Sequence, residues 1–283
     1  MPNPLETRHP LLVRLDALAR YKAWRFSGAR SPYLFVTEYP KSGGTWFCQM
    51  LAACLDIPFP RHESIPWFRR RPAVLHGHFD WKPWLPRTFC VLRDGRDVAV
   101  SAYHYLVFHL QNTPVGRRAR ACLSPANPED LRTNLPDFID YLFRECPVGG
   151  KWLTWRGVHW GRFVESFVGR RACIVKYEDL LSDGAATLDA CLRDALRVHA
   201  ERDHLQQVVD RFSFARLTGR KPGEEDRHSF LRKGIAGAWR DHFSLEARRV
   251  FQRHAGEALI LTGYEQDDSW VSETLESDRN RAA

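Results

Sequence analysis

The chain has 283 residues, of which 44% are hydrophobic and 27% charged, a balance that excludes a largely disordered chain and predicts a globular protein with a full core. Its 42 Lys and Arg outnumber 34 Asp and Glu, so the net charge is +8 and the surface favours anionic ligands. The seven cysteines form no CxxC pair and no disulfide framework, which predicts a reducing, cytoplasmic location. No signal peptide pattern is seen, and no apolar run approaches the roughly 20 residues of a membrane span.

The first predicted element is a weakly amphipathic helix over residues 11–24. Short apolar runs after it predict buried strands at residues 33–37, 73–75, 88–92 and 172–175. Helical stretches occupy residues 45–55, 96–110 and 185–197. Near-continuous apolar strands that alternate with helices are typical of a parallel sheet covered on both faces. The pattern therefore predicts an α/β fold, a three-layer sandwich around a central, mostly parallel sheet.

Two stretches interrupt this alternation. Residues 112–136 contain several prolines and are predicted to form a long loop or lid. Residues 219–229 are charged and turn-rich, and the polar tail at 267–283 is predicted to fray. No stretch has the composition of an interdomain linker, so we expect one domain over residues 1–283, with its core at about 30–265.

The segment Pro40-Lys41-Ser42-Gly43-Gly44-Thr45-Trp46 joins the first predicted strand to a helix. A turn of this kind exposes backbone N–H groups beside the positive end of the helix dipole and so favours a bound phosphate. Lys41 adds a positive charge, and the two hydroxyl side chains of the segment add donors. The segment is not a Walker A loop, because Glu38 stands where that motif has its first Gly and Gly44 where it has its Lys.

Two further segments carry residues suited to anion binding. Arg93 follows the third predicted strand, at the edge where open α/β sheets bind ligands, and Ser101 lies about two turns into the next helix. Asp94 or Asp97 is expected to support the start of that helix. The other segment, Arg232-Lys233-Gly234, follows the charged stretch. Taken singly, each segment is also consistent with a solvated surface turn.

These segments resemble motifs of the sulfotransferases that use 3′-phosphoadenosine 5′-phosphosulfate (PAPS) as donor. Residues 40–46 are similar to the family's 5′-phosphosulfate loop, usually PKSGTTW, with a glycine in place of one Thr. Arg93 and Ser101 match the two positions of its 3′-phosphate motif. Arg232-Lys233-Gly234 matches its RKGxxGDW element, in which Ala238 here replaces the usual Asp.

The resemblance implies a P-loop-like nucleotide-binding fold that grips PAPS at both ends. The first segment would hold the 5′-phosphosulfate, and the other two would hold the 3′-phosphate. Nucleoside contacts are implied at Tyr177, Ser213 and Phe214, with Trp46 and Phe214 flanking the adenine. PAPS is then the co-substrate and 3′-phosphoadenosine 5′-phosphate (PAP) the product, and no metal is required.

Leu75-His76-Gly77-His78 lies at the end of the second predicted strand. The resemblance places the family's catalytic His at His78 and puts His76 where the family has a Lys; His76 is the alternative base. A histidine suits proton transfer because its pKa lies near neutral pH. Two histidines at this spacing could also ligate a metal, but the only further ligand that the neighbouring sequence offers is Asp80, so no metal site is predicted.

The sequence therefore predicts an enzyme that transfers a sulfuryl group from PAPS to an acceptor hydroxyl, with His78 as base and Lys41 on the leaving-group side. Soluble members of the family often act on small molecules, so we expect a phenol or alcohol as acceptor and no nucleic acid as partner. The acceptor pocket could be lined by aromatic residues that are equally consistent with the core, namely Trp67, Phe68, Trp81, Trp84 and Phe108. The arginines at 69–71 could attract an acidic acceptor or form a solvated face. The oligomeric state stays open.

Two other functions compete with this prediction. A P-loop kinase or NTPase needs a Lys in the Walker position, and here the Lys comes earlier in the loop. An RNA- or polyanion-binding protein would interleave aromatic and basic residues on a sheet. The basic residues of this chain concentrate instead in nucleotide-type loops.

Overall fold

A computed structural model of the chain describes residues 26, 32–60, 72–83, 88–123, 127–147 and 158–272. Several sequence predictions concern residues outside these ranges, and they stay predictions. They are the helix at 11–24, the aromatic residues Trp67, Phe68 and Trp84, and the arginines at 69–71.

The described strands form one four-stranded parallel sheet in the order β2–β1–β3–β4. They are β1 (Leu34–Glu38), β2 (Val74–Gly77), β3 (Thr88–Leu92) and β4 (Cys173–Lys176). All four coincide with the apolar runs, with small shifts at their ends, so the predicted parallel sheet is confirmed. Because every strand runs the same way, the segments that follow β1, β2 and β3 emerge at one edge of the sheet.

The helices connect and cover these strands. They are α1 (Gly44–Cys54), α2 (Gly95–Tyr103), α3 (Pro114–Ala121), α4 (Leu131–Glu145), α5 (Trp160–Phe167), α6 (Tyr177–Ser182), α7 (Gly184–Cys191), α8 (Arg202–Arg211), α9 (Phe214–Thr218), α10 (Trp239–His242) and α11 (Leu245–Leu261). A π-helical turn extends α2 over His104–His109, another extends α7 over Leu192–Leu196, and a 3₁₀ turn covers Ser269–Val271. Among the described residues, no helix combines the length and apolar character that a bilayer crossing requires.

The core is divided between the two faces of the sheet. Phe89 and Val91 of β3 pack in a cluster with residues of α1, α7 and α8. Cys90 and Leu92 of the same strand belong to a second cluster with residues of α2, α4, α5 and α11. Alternate residues of a strand point to opposite faces, so the two clusters lie on either side of the sheet. The three-layer arrangement predicted from the sequence is therefore confirmed.

The predicted long loop at residues 112–136 is wrong, because α3 and the start of α4 lie within it. Thr113 caps α3 by accepting the Gly116 N–H at 3.2 Å, and Pro114 occupies the first turn, where a missing N–H costs nothing. Pro136 lies inside α4, whose apolar face is buried and outweighs the lost hydrogen bond. A proline is compatible with the first turn of a helix, so the prolines of this stretch do not by themselves indicate a loop.

The predicted fraying of the tail is wrong for residues 267–272. Trp270 in the 3₁₀ turn is 2% exposed and belongs to the second core cluster. Its Nε1 donates to Gln252 Oε1 at 2.8 Å, and its ring meets the edge of Trp239 with centroids 5.8 Å apart. A single large apolar side chain anchors this otherwise polar segment. Residues 273–283 lie outside the described ranges.

Candidate active site

The loop between β1 and α1 has a strained backbone. Lys41 has φ +77° and Gly43 has φ +96°, so both occupy the left-handed region, which is unfavourable for a side chain such as that of Lys41. Strain of this kind clusters at functional sites. Between them, the Ser42 side chain is fully buried, and its Oγ has no hydrogen-bond partner among the described residues. The loop therefore places an unsatisfied hydroxyl beside the N-terminus of α1.

Glu38, the last residue of β1, is 4% exposed, and its carboxylate contacts this loop. Its Oε2 accepts the Gly44 N–H at 2.5 Å, and its Oε1 lies 3.0 Å from His76 Nε2. Burial raises the pKa of the Glu38 carboxyl, but the hydrogen bond and charge of His76, the charge of His78 and the Gly44 amide together leave that pKa below its usual value. The carboxylate is thus ionised and accepts only, so His76 Nε2 carries the proton.

The ring of His78 is held in one tautomer. Its Nδ1 lies 3.1 Å from the backbone carbonyl of Glu38, and because a carbonyl only accepts, Nδ1 carries a proton. His78 is exposed to solvent, yet the protein atoms packed around its ring, together with the neighbouring His76, lower its pKa to about 4. The ring is therefore neutral near pH 7, with an unprotonated Nε2.

Sheet register brings these three side chains together. Val36 of β1 pairs with His76 of β2, so Glu38 and His78 lie one pleat farther along the same pair of strands. Residues two apart on a strand share a face. One donor atom from each of Glu38, His76 and His78 lies within 4.8 Å of those of the other two.

Glu38 is the functional candidate that the sequence analysis missed. Asp80 is the only further ligand near the histidines in the sequence, but it pairs with Lys82 at 2.7 Å. The carboxylate beside the histidines in the structure is Glu38, on the neighbouring strand. The signal was present in the sequence, since Glu38 continues the alternation of β1 two residues beyond Val36. Without strand pairing, however, nothing in the sequence showed which strand would lie beside the histidines.

The side chain of Lys41 is held between two aromatic rings. Its Nζ lies 4.5 Å from the centroid of Tyr105, in the π-helical turn after α2, and 4.0 Å from that of Phe230. Cation–π contacts hold an ammonium group without neutralising its charge. Neither aromatic residue was predicted, because both lie far from Lys41 in the sequence and belong to no motif.

Arg93 joins the first and third predicted segments. Its guanidinium is largely buried and donates to the carbonyl of Lys41 at 3.3 Å and to that of Ile235 at 3.0 Å. The same group lies 4.4 Å from the ring centroid of Tyr177. Arg93 therefore connects the loop after β1 with the segment around residue 235 and with a predicted nucleoside contact.

The two aspartates after Arg93 have different partners. Asp94 caps α2 by accepting the Arg96 N–H at 2.9 Å, as expected. Asp97 instead accepts the backbone N–H groups of Gly237 and Trp239 at 2.7 and 3.0 Å. Burial raises the pKa of Asp97 in spite of the Arg93 charge. Asp97, which does not cap the helix, thus attaches the residues that follow Arg232-Lys233-Gly234 to α2.

The third segment is charged and tightly packed. Arg232 is 8% exposed and pairs with Glu225, and Lys233 Nζ lies 3.9 Å from Asp241. Gly234 has φ +64°, and a Cβ there would lie 2.4 Å from the Phe214 ring. Ala238 begins α10 with no side-chain cap, as its replacement of the family's Asp implies. Ser101 in α2 is 9% exposed.

The predicted nucleoside contacts gather beside the loop after β1. Trp46 in α1 meets Tyr177 edge to face at 5.7 Å and donates from Nε1 to the Phe212 carbonyl at 2.7 Å. A Cβ at Gly43 would lie 2.7 Å from the Tyr177 ring. The Ser213 hydroxyl caps α9, and Phe214 next to it is half-buried. The half-buried Thr45 lies in the first turn of α1.

These residues fit a nucleotide with phosphates at both ends. The buried Ser42 hydroxyl lacks a partner among the described residues, and only glycine is compatible with the packing and backbone at positions 43 and 234. The segment around Lys41 would hold the 5′ end, and Ser101, Lys233 and Gly234 would hold the 3′-phosphate. Arg93 and Arg232 would act here as supporting charges, because both already have protein partners.

A separate cavity of about 160 Å³ lies near the end of α2. It is lined by His104, Phe108, Glu129, Asp130, Leu131, Arg132, Glu225, Arg227, Asp241 and His242. Phe108, one of the predicted acceptor residues, is part of this lining, but the loop at 40–46 and the histidines of β2 are not. Trp81 instead packs against the Arg170 guanidinium, 4.8 Å from its ring centroid. The cavity lining therefore does not include His78, the candidate base.

Gly234→Ala tests the packing of the third segment. The new Cβ would displace Phe214, and we expect PAP binding to weaken roughly tenfold, which corresponds to losing about 1.4 kcal/mol of base–aromatic stacking. Gly219→Ala is the matched control, because Gly219 has a similar φ of +73° with no atom within 4 Å of its added Cβ. Calorimetric titration with PAP compares the two. Equal affinities in both variants would show that Phe214 does not contact the nucleotide.

Known proteins share both the sequence features and the fold. The family pattern described as a sulfotransferase domain matches residues 85–263. Sulfotransferase 1E1 of Cavia porcellus is 22% identical over 267 residues, covering 80% of this chain and 82% of that protein. The crystal structure of mouse sulfotransferase SULT7A1 complexed with PAP has a TM-score of 0.58 at 17% identity, covering 86% of this chain and 93% of that one. That of retinol dehydratase with androsterone and inactive cofactor PAP has a TM-score of 0.55 at 17% identity, covering 82% and 83%.

Proposed function

The chain belongs to the sulfotransferase family, and from this premise we propose that His78 is its general base and that the segments around Lys41, Arg93 and Arg232 hold the donor. Enzymes of this family transfer a sulfuryl group from PAPS to an acceptor, and this chain is such an enzyme. PAPS supplies the sulfuryl group as an activated anhydride with a phosphate. The protein's task is then to orient the two reactants and to stabilise the charge that moves between them.

The donor site is supported by the way in which the predicted segments converge. Arg93 hydrogen-bonds the carbonyls of Lys41 and Ile235, and Asp97 binds the backbone of Gly237. Segments far apart in sequence are thus held together by buried polar contacts. The N-terminus of α1 and the Lys41 ammonium supply positive charge at one end of the site, and Lys233 supplies it at the other.

The hydrogen bond of His78 is the observation that carries the base assignment. Because Nδ1 donates to the Glu38 carbonyl, Nε2 is left with a lone pair that can accept the proton of an acceptor hydroxyl. When the ring takes up that proton, the neighbouring Glu38 carboxylate stabilises the positive charge formed. His76 has its Nε2 proton directed to Glu38, which leaves the lone pair on Nδ1, so His76 stays the alternative base.

Lys41 lies on the leaving-group side of the reaction in this proposal. Negative charge grows on the oxygen that leaves the sulfur, as it does in phosphoryl transfer, and a fixed ammonium group stabilises it. The rings of Tyr105 and Phe230 orient the Lys41 ammonium without cancelling its charge. We propose that this arrangement limits the rotamers of Lys41 before the donor binds.

We propose a small-molecule phenol or alcohol as acceptor and a cytoplasmic location. The acceptor class is supported by the family match and by a structural relative whose complex contains androsterone. The location is supported by the absence of disulfides between cysteines in the described part of the chain. One domain is proposed for the whole chain, as the composition indicates.

His78→Gln tests the base assignment. The Gln amide can still donate to the Glu38 carbonyl but cannot accept a proton at neutral pH, so we expect kcat to fall by about 10²–10⁴-fold while the Kd for PAP stays unchanged. His204→Gln, on the exposed surface of α8, is the control and should keep wild-type turnover. Near-wild-type kcat in the His78 variant would refute the assignment.

An acceptor panel tests the substrate class. Phenols, aliphatic alcohols and glycans are each incubated with PAPS carrying a labelled sulfuryl group, and label transferred to each acceptor is counted. We expect label on phenols or alcohols, because the complex of one structural relative, retinol dehydratase, contains androsterone. Label confined to glycans would contradict the proposed acceptor while leaving the donor assignment intact.

A further inference from the structure

We propose that Glu38, His76 and His78 form a binding site for a divalent transition metal such as Zn²⁺, and that the bound ion stops sulfuryl transfer. The transfer itself needs no metal, so the ion would act as an inhibitor and not as a cofactor. The inhibitory part rests on the proposed function of His78. The binding part rests only on the three side chains.

The ligand set is close to assembled. One donor atom of each residue lies within 4.8 Å of those of the other two. Glu38 Oε1 and His76 Nε2 are 3.0 Å apart, and two ligands on a tetrahedral Zn²⁺ stand about 3.3 Å apart when each bond is about 2.0–2.1 Å. The rings of His76 and His78 have centroids 5.0 Å apart. Small side-chain rotations would therefore complete the site.

Two of the three ligands lie on paired strands. Glu38 ends β1 and His76 lies in β2, and the two strands are paired in the sheet. The Gly44 N–H fixes the second carboxylate oxygen of Glu38 at 2.5 Å, which leaves the first oxygen directed at His76. Hydrogen bonds that orient metal ligands in this way raise metal affinity by restricting their motion.

The donor types select the class of metal. Two imidazoles and one carboxylate are a set that binds Zn²⁺ and leaves a fourth position open. Imidazole nitrogen favours Zn²⁺ and its transition-metal neighbours over Mg²⁺ and Ca²⁺, which prefer oxygen ligands. Metal binding would displace the proton from Nε2 of His76, and this nitrogen would then bind the metal.

Metal binding at this site is incompatible with the base function of His78. If the ion binds Nε2, it takes the lone pair that would accept the hydroxyl proton. If it binds Nδ1, the ring proton must move to Nε2 or leave, and the hydrogen bond to the Glu38 carbonyl is lost. Either mode removes the tautomer on which proton transfer depends.

Zn²⁺ titration calorimetry on the full chain, with any affinity tag removed, tests the binding part. We expect one tight equivalent of Zn²⁺ in the wild type. Glu38→Gln and His76→Asn should each weaken Zn²⁺ binding by more than about tenfold. Loss of a group that only orients a metal ligand already weakens binding by about tenfold, and these variants remove a ligand itself. His204→Asn is the control, and the cysteines contribute the same background to every variant. His76→Asn keeps the test decisive if the buried Glu38 variant is unstable.

Inhibition of sulfuryl transfer by Zn²⁺ tests the second part. We expect Zn²⁺ to stop sulfuryl transfer by the wild-type enzyme and EDTA to restore it. The Zn²⁺ concentration that halves the metal-free rate of each enzyme should be higher for both variants than for the wild type. Equal Zn²⁺ affinity in wild type and variants would overturn the site. Tight Zn²⁺ binding without inhibition would overturn the inhibitory role. The calorimetry needs no turnover, so failure of the proposed function would be seen separately, as absence of transfer with metal binding intact.

Discussion

The buried ion pair between Arg93 and Asp97 holds together the segments that form the proposed donor site. The two charged groups lie 3.7 Å apart with side chains 10% and 1% exposed, where an unpaired charge would cost several kcal/mol. Each group also binds backbone from other segments. Arg93 donates to the carbonyls of Lys41 and Ile235. Asp97 accepts the N–H groups of Gly237 and Trp239. Moving any one of these segments would leave a buried charge without its partners.

The site contains acidic groups as well as basic ones. Glu38 accepts an N–H at the start of α1, and Glu225 pairs with Arg232. Some of the positive charge therefore has a partner before any nucleotide arrives. A bound phosphate would in part exchange one anion for another, so donor affinity depends on the difference between the two interactions and not on their sum. Lys41 also contacts the rings of Tyr105 and Phe230, and these contacts orient its ammonium group.

Local sequence patterns predicted the strands and most of the candidate site residues. They did not predict which strands pair with each other. The apolar runs predicted the sheet, and the segments around Lys41, Arg93 and Arg232 predicted the residues that converge. Glu38 was missed because its role depends on β1 lying beside β2, a long-range pairing that the local sequence does not encode. Residues 112–136 were misjudged because Pro114 serves equally well at a helix start. A sequence motif predicts candidate site residues, and the fold determines which other residues lie beside them.

Calorimetry with two ligands tests most directly whether the chain grips a nucleotide with phosphates at both ends. PAP carries phosphates at the 3′ and 5′ positions, and adenosine 5′-phosphate lacks the former. A charge-assisted hydrogen bond contributes about 1.5–3 kcal/mol, so PAP should bind at least about tenfold more tightly. Equal affinity for the two nucleotides would contradict the account, because Ser101, Lys233 and Gly234 would then contribute no 3′-phosphate site.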